Sequence, residues 1–194
     1  MLGLDTVTET DVLGTKDVRW NFSPFGYSGV NDPQLDADFA TFKEMARAFS
    51  KAHKGNLKET LSRSITDKIS LEELSCKIGV YLFLQHSLDT GDEVVGKKFA
   101  HLQRKLSNIV AEQLEFYDHE IVELDEALID MLAETDPVVK KHIPSLELTR
   151  VFKPNLLSES IEAALTKRSP FGTRMWSSFF DEYMSDLRLS WEGE

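Results

Sequence analysis

The sequence predicts an all-α fold, an antiparallel bundle of about seven to nine helices. Three observations point there. Apolar residues recur at spacings of three and four along most of the chain from Leu35 to Leu187. Helix-start signals recur too: Asp32-Pro33, Ser70-Leu71-Glu72-Glu73, Asp125 and Asp136-Pro137. Strand-like alternation is confined to Leu187-Arg188-Leu189-Ser190-Trp191-Glu192-Gly193-Glu194. Such a strand needs a neighbour for its backbone donors and acceptors. Residues 188–194 are therefore expected to begin a strand whose partner belongs to a following segment.

The elements follow in order. Residues 1–16 are polar, lack periodicity and read as a flexible arm. Residues 17–187 read as one helical lobe. It opens with Trp20, Phe22, Phe25 and Tyr27 among Ser, Pro and Gly, an irregular stretch with aromatic anchors. Asp32 caps a helix carrying Leu35, Phe39, Phe42, Ala46 and Phe49, ending near Lys54 before Gly55. A polar connector is expected to about Lys68. From the Ser70 capping box, Leu74 to Leu84 is apolar nearly all round, which predicts the most buried helix, ending near Asp89-Thr90-Gly91. A single long helix is predicted over about 92–124, roughly 50 Å at 1.5 Å per residue. Asp125 starts the next helix, Asp136-Pro137 a short one and Pro144 another through Phe152. Ser158 starts a helix to Lys167, and Met175 to Leu187 form the last.

Composition narrows the function classes. The chain has 194 residues, 41% hydrophobic, with net charge −11. That charge repels nucleic acid. The small basic groups (Lys97, Lys98, Arg104, Lys105; Lys140, Lys141) read as solvated surface. Cys76, the single cysteine, lies in an apolar helix and reads as a buried small hydrophobe, which suits a reducing, cytoplasmic setting. The longest apolar run, Ile78 to Leu84, is far short of the ~20 residues of a membrane span.

Chemistry-bearing patterns are sparse. His119-Glu120-Ile121-Val122-Glu123 has Glu123 where a zincin H-E-x-x-H motif has its second histidine. Glu115, His119 and Glu123 could form a metal-binding helical face; the competing reading is a charged face of a core helix, since Ile121 lies on the apolar stripe. Residues 112–136 hold ten acids and no Lys or Arg, either a solvated face or one wall of a cleft that favours basic peptides. His53, His86, His101 and His142 are scattered, and His86 is expected to be satisfied or half-exposed. Lys167-Arg168-Ser169-Pro170-Phe171-Gly172-Thr173-Arg174 is a basic turn, either a connector with an arginine over a helix end or a contact to another lobe. No catalytic, cofactor-binding or metal residue is assigned from these patterns.

In sequence order, several segments resemble the N-terminal region of the oligoendopeptidase F family, the thermolysin-like zinc oligopeptidases. Trp20-Asn21-Phe22-Ser23 with Tyr27 is similar to that family's opening. The Asp32-Pro33 helix ends in His53-Lys54-Gly55, and the apolar helix to Leu88 closes on Asp89-Thr90. The acidic, aromatic Leu114-Glu115-Phe116-Tyr117 follows. The connector Leu148-Thr149-Arg150-Val151-Phe152-Lys153-Pro154-Asn155-Leu156-Leu157-Ser158-Glu159 resembles the family's Arg-x-x-x-His-x-Leu-Ser-Glu, with Asn155 where His is usual. Ser178-Phe179-Phe180-Asp181-Glu182-Tyr183 resembles its Leu-Phe/Tyr-Asp-Glu-Leu helix, and the likeness spans about residues 20–194.

The resemblance implies a helical lobe covering a catalytic lobe, with oligopeptide bound in the channel between them. It places zinc, its H-E-x-x-H ligands and the groups that stabilise the tetrahedral intermediate in that other lobe, with no counterpart in this chain. The expected partners are the catalytic lobe of the same polypeptide and an oligopeptide, with a possible dimer through the exposed interface. The chain by itself is expected to be inactive. The alternative is a stand-alone helical interaction module without catalytic activity.

Overall fold

The computed structural model describes residues 20–187. The predicted arm over 1–16 and the strand-like tail over 188–194 lie outside the described residues. Eight α-helices and three 3-10 turns make up the described fold, so the all-α bundle holds.

The opening segment works as an aromatic clamp. Ser23–Phe25 form a 3-10 turn, and Gly26 ends it at φ 74°, a conformation that favours glycine. The rings of Phe22, Phe25 and Tyr27 then meet Tyr81 at 6.4, 5.6 and 4.8 Å. Trp20, expected as a fourth anchor, is exposed. It precedes the turn that aims the other three rings inward.

Helix α1 spans Pro33–His53, and the Asp32 carboxylate accepts from the Gln34 amide at 2.8 Å. Its buried stripe is Leu35, Phe39, Phe42, Ala46, Phe49 and His53. On the flank, Asp38 accepts from the Tyr27 hydroxyl and the Lys77 ammonium, each at 2.7 Å. Burial acts to raise the Asp38 carboxyl, but its bonds to Lys77, Tyr27 and Gln34 prevail and hold it below the usual range. Burial, then Asp38, pushes the Tyr27 hydroxyl well above the usual tyrosine range.

Helix α2 runs unbroken over Leu57–Leu88. This corrects two expectations, a polar connector to Lys68 and a helix start at Ser70. Leu57, Leu61 and Ile65 are buried at four-residue spacing, so the polar stretch carries its own core stripe. Ser70 does not cap; its hydroxyl donates back to the Thr66 carbonyl at 3.4 Å. His53 is fully buried against this first half, with Nδ1 2.9 Å from Thr60 Oγ1 and Nε2 2.9 Å from Asp67. The second half is less enclosed than predicted. Ile78, Tyr81 and Leu82 are buried, whereas Val80, Phe83 and Leu88 are exposed. Cys76 is exposed too, correcting its assignment to the core, because it faces away from the Leu71–Ile78–Leu82 stripe.

The single helix predicted over 92–124 is two. Helix α3 is Glu93–Gln113, capped by Asp92, and α4 is Phe116–Glu123. At the break the Glu115 amide reaches back five residues to the Val110 carbonyl at 3.1 Å. That wide turn swings Phe116 and Tyr117 into the core, 5.8 and 5.6 Å from the Phe49 ring. Burial pushes the Tyr117 hydroxyl up to about 12. The longest helix is therefore α2.

Helix α5 is Glu126–Thr135, capped by Asp125. Helix α6 is Pro137–Val151, with Asp136 accepting from the Val138 and Val139 amides. It contains Pro144, which was expected to begin a separate helix. Val139, Ile143 and Leu146 keep one packing face against the core across the proline. Helix α7 is Glu159–Arg168, a 3-10 turn covers Ser169–Phe171, and α8 is Thr173–Asp186. Helices α1, α2 and α3 pack together, α6 closes on α2, α4 and α5, and α7 lies along α3. Helix α8 meets the rest chiefly through the Ser169–Phe171 turn. Among the described residues no helix is long and apolar enough to cross a membrane.

Candidate functional site

The acidic run serves first as a set of fasteners. Glu112 accepts from Lys167 at 2.8 Å, and Glu115 from the Thr166 hydroxyl at 3.2 Å, which ties α7 to the α3–α4 junction. Glu120 accepts from the Gly55 amide at 2.7 Å, and Lys153 lies 3.1 Å from Glu123. Asp125 and Asp136 cap their helices. Asp118, Glu126, Asp130 and Glu134 remain exposed. In the basic turn, Lys167 makes a connecting contact, to Glu112.

Glu115, His119 and Glu123 do not converge. Glu115 points to α7, Glu123 pairs with Lys153, and His119 Nε2 is buried without a hydrogen-bond partner among the described residues. No three His, Cys, Asp or Glu side chains among the described residues are grouped to hold a metal ion. The zinc implied by the resemblance therefore finds no fitting ligand set in the described residues. His86 is buried rather than satisfied or half-exposed; its ring lies 5.3 Å from Phe99, and Nδ1 lacks a partner among the described residues.

The feature that stands out is an uncovered apolar face; an exposed interface was expected, but the sequence did not place it on particular helices. Helix α7 buries no residue. Its polar Thr166 and Lys167 engage the body, while Ile161 and Leu165, and Leu157 just before the helix, stay half exposed. That is the reverse of an ordinary surface helix. On and just after helix α8, Trp176, Phe180, Tyr183 and Leu187 are also exposed, at spacings of four, three and four. Trp176 and Phe179 meet edge-on at 6.1 Å, and Phe179 stacks on Tyr183 at 6.3 Å. Between α3 and α8 lies a groove of about 590 Å³, walled by Ala100, Gln103, Phe171, Met175 and Phe179 with Arg104 and Glu182 at its edge. Exposed apolar residues in this number mark an interaction surface. The available signal was the apolar spacing of 176–187 in a helix with no packing partner assigned.

Comparison with known proteins bears on this same part of the chain. Residues 120–188 match a family model described as Oligopeptidase F, the N-terminal part of M3 peptidases. No curated protein and no solved structure matches the chain. The match begins in α4 and runs through α5, α6, α7 and α8, so it contains the uncovered face. Over that segment the chain is similar to the N-terminal lobe of an oligoendopeptidase F-like peptidase.

Proposed function

We propose that this chain works as the N-terminal lobe of a cytoplasmic zinc oligoendopeptidase, roofing a peptide channel completed by a separate catalytic lobe. The observation that carries the reading is a coincidence of place: the family match and the uncovered apolar face occupy the same helices. A roof of this kind supplies no reacting group. It confines an extended oligopeptide, keeps out folded proteins and excludes water from the channel. Zinc is assigned to the catalytic lobe, and no hydrolytic step is assigned to any residue of this chain. When the lobe is alone, the same face offers a surface for dimerisation.

The test is complementation. The purified chain is mixed with the catalytic lobe of an oligoendopeptidase F, and cleavage of a quenched fluorescent peptide is followed. Neither part alone is expected to match the activity of the mixture, and Trp176→Asp with Phe180→Asp is expected to abolish the gain. Peptidase activity in the isolated chain, or no gain on mixing, overturns the reading. In the second case, a stand-alone interaction module, the face would serve an unrelated protein.

A further inference from the structure

A second groove, of about 430 Å³, opens beside α4 between the end of α6 and α7. Leu148, Phe152 and Leu156 form its apolar wall, and Asp118, Glu162 and Asn155 its polar edge. No Lys or Arg is among its lining residues. The basic residue next to Phe152, Lys153, is turned elsewhere, donating to the Val122 carbonyl at 3.0 Å and pairing with Glu123. Lys54 is likewise committed to Glu159 at 2.6 Å. Glu162 is held in place because its carboxylate also accepts from the Leu157 amide at 3.1 Å.

Carboxylates outnumber cations around this groove. Burial raises the Glu115 carboxyl first; its bond to Thr166 opposes, Glu162 and Asp118 raise it further, and His119 opposes. Glu115, Glu162 and Asp118 thus act on one another; Lys68 lies on the α2 side of Asp118 and Glu115 but is bonded to Glu72. An apolar wall next to that charge fits a long cationic side chain, whose methylenes cover the wall while its head reaches the acids.

We propose that this groove anchors an arginine or lysine of the bound oligopeptide, next to an apolar residue. The inference rests on the reading that this lobe lines a peptide channel, and it adds a preference for basic peptides. It makes Asp118 and Glu162 specificity-determining residues and leaves hydrolysis to the catalytic lobe.

The experiment uses the isolated chain and two fluorescein-labelled nonapeptides of alternating Ala and Leu. One has a central Arg, the other the uncharged isostere citrulline. Fluorescence anisotropy is expected to show the citrulline peptide binding about tenfold more weakly. Asp118→Asn and Glu162→Gln are each expected to weaken the Arg peptide about fivefold. Glu126→Gln and Asp130→Asn, acids exposed on α5, are expected to leave it unchanged. No binding, equal binding of the two peptides, or equal weakening by the α5 variants overturns the proposal. Loss of this anchor with intact lobe complementation sinks the proposal alone. Binding without complementation sinks only the lobe reading.

Discussion

Phe42 and Phe180 are the same side chain on two amphipathic helices, yet they are 1% and 60% exposed. The first belongs to the α1–α6 body, where stripes from three or more helices close over one another. The second belongs to the α7–α8 region, where the stripe faces out. Amphipathic spacing shows that a helix has a face to cover, without showing that the cover lies within the same chain. The contrast separates residues that hold this fold from residues available for something else.

The sharpest way to break that contrast is a matched pair. Phe42→Ala is expected to cost about 3–5 kcal/mol, by lost burial and the cavity left behind. Phe180→Ala is expected to stay within about 0.5 kcal/mol, as for surface sites. Urea unfolding followed by circular dichroism checks both, and a large loss at Phe180 would mean that α8 is part of the folding core. A smaller effect sharpens the body side. Asp38→Asn weakens the Lys77 and Tyr27 bonds and is expected to cost about 1–2 kcal/mol at pH 7. The folded Asp38 carboxyl lies below its unfolded value. Its stabilisation is therefore complete above about pH 4 and fades as the pH falls through the folded value, so variant and native stabilities should converge in acid. Thermal melts from pH 7 to pH 3 measure this; a constant gap would contradict it. The smallest effect belongs to the other region. Glu115 has a raised carboxyl, so its charge opposes folding once the pH exceeds its unfolded value, and this penalty disappears at lower pH. Glu115→Gln keeps an acceptor for Thr166 and is expected to stabilise by up to about 0.5 kcal/mol at pH 7, with no gain near pH 3. Parallel melts at the two pH values decide it.

Much of the fold was legible because local chemistry sets helix ends. Asp32, Asp125 and Asp136 all accept from first-turn amides as their sequence context predicts. The errors came where tertiary packing overrode local signals. Ser70 had a capping partner in sequence, but Leu57, Leu61 and Ile65 already committed that stretch to helix. Pro144 resembled a start, yet the face through Val139, Ile143 and Leu146 crosses it. The α3–α4 break has no Gly or Pro; its trace is the two-residue step from Leu114 to Phe116, which resets the stripe. Of the candidate sites, the acidic run was visible as composition, but its conversion into fasteners depends on Gly55, Lys153, Thr166 and Lys167, far from it in the chain. The groove beside α4 was invisible for the same reason: Asp118 and Glu162 are brought together only by the return of α7.

The way α7 is attached has a consequence for how the molecule responds to its medium. Its links to the body include the Lys54–Glu159 and Lys167–Glu112 bridges, all four side chains roughly half open to solvent, and it buries no residue of its own. Dissolved ions screen such bridges within about 10 Å at 0.1 M, while leaving packed hydrocarbon little affected. Raising the ionic strength should therefore loosen α7, and with it half of the uncovered face, well before the helices beneath it respond.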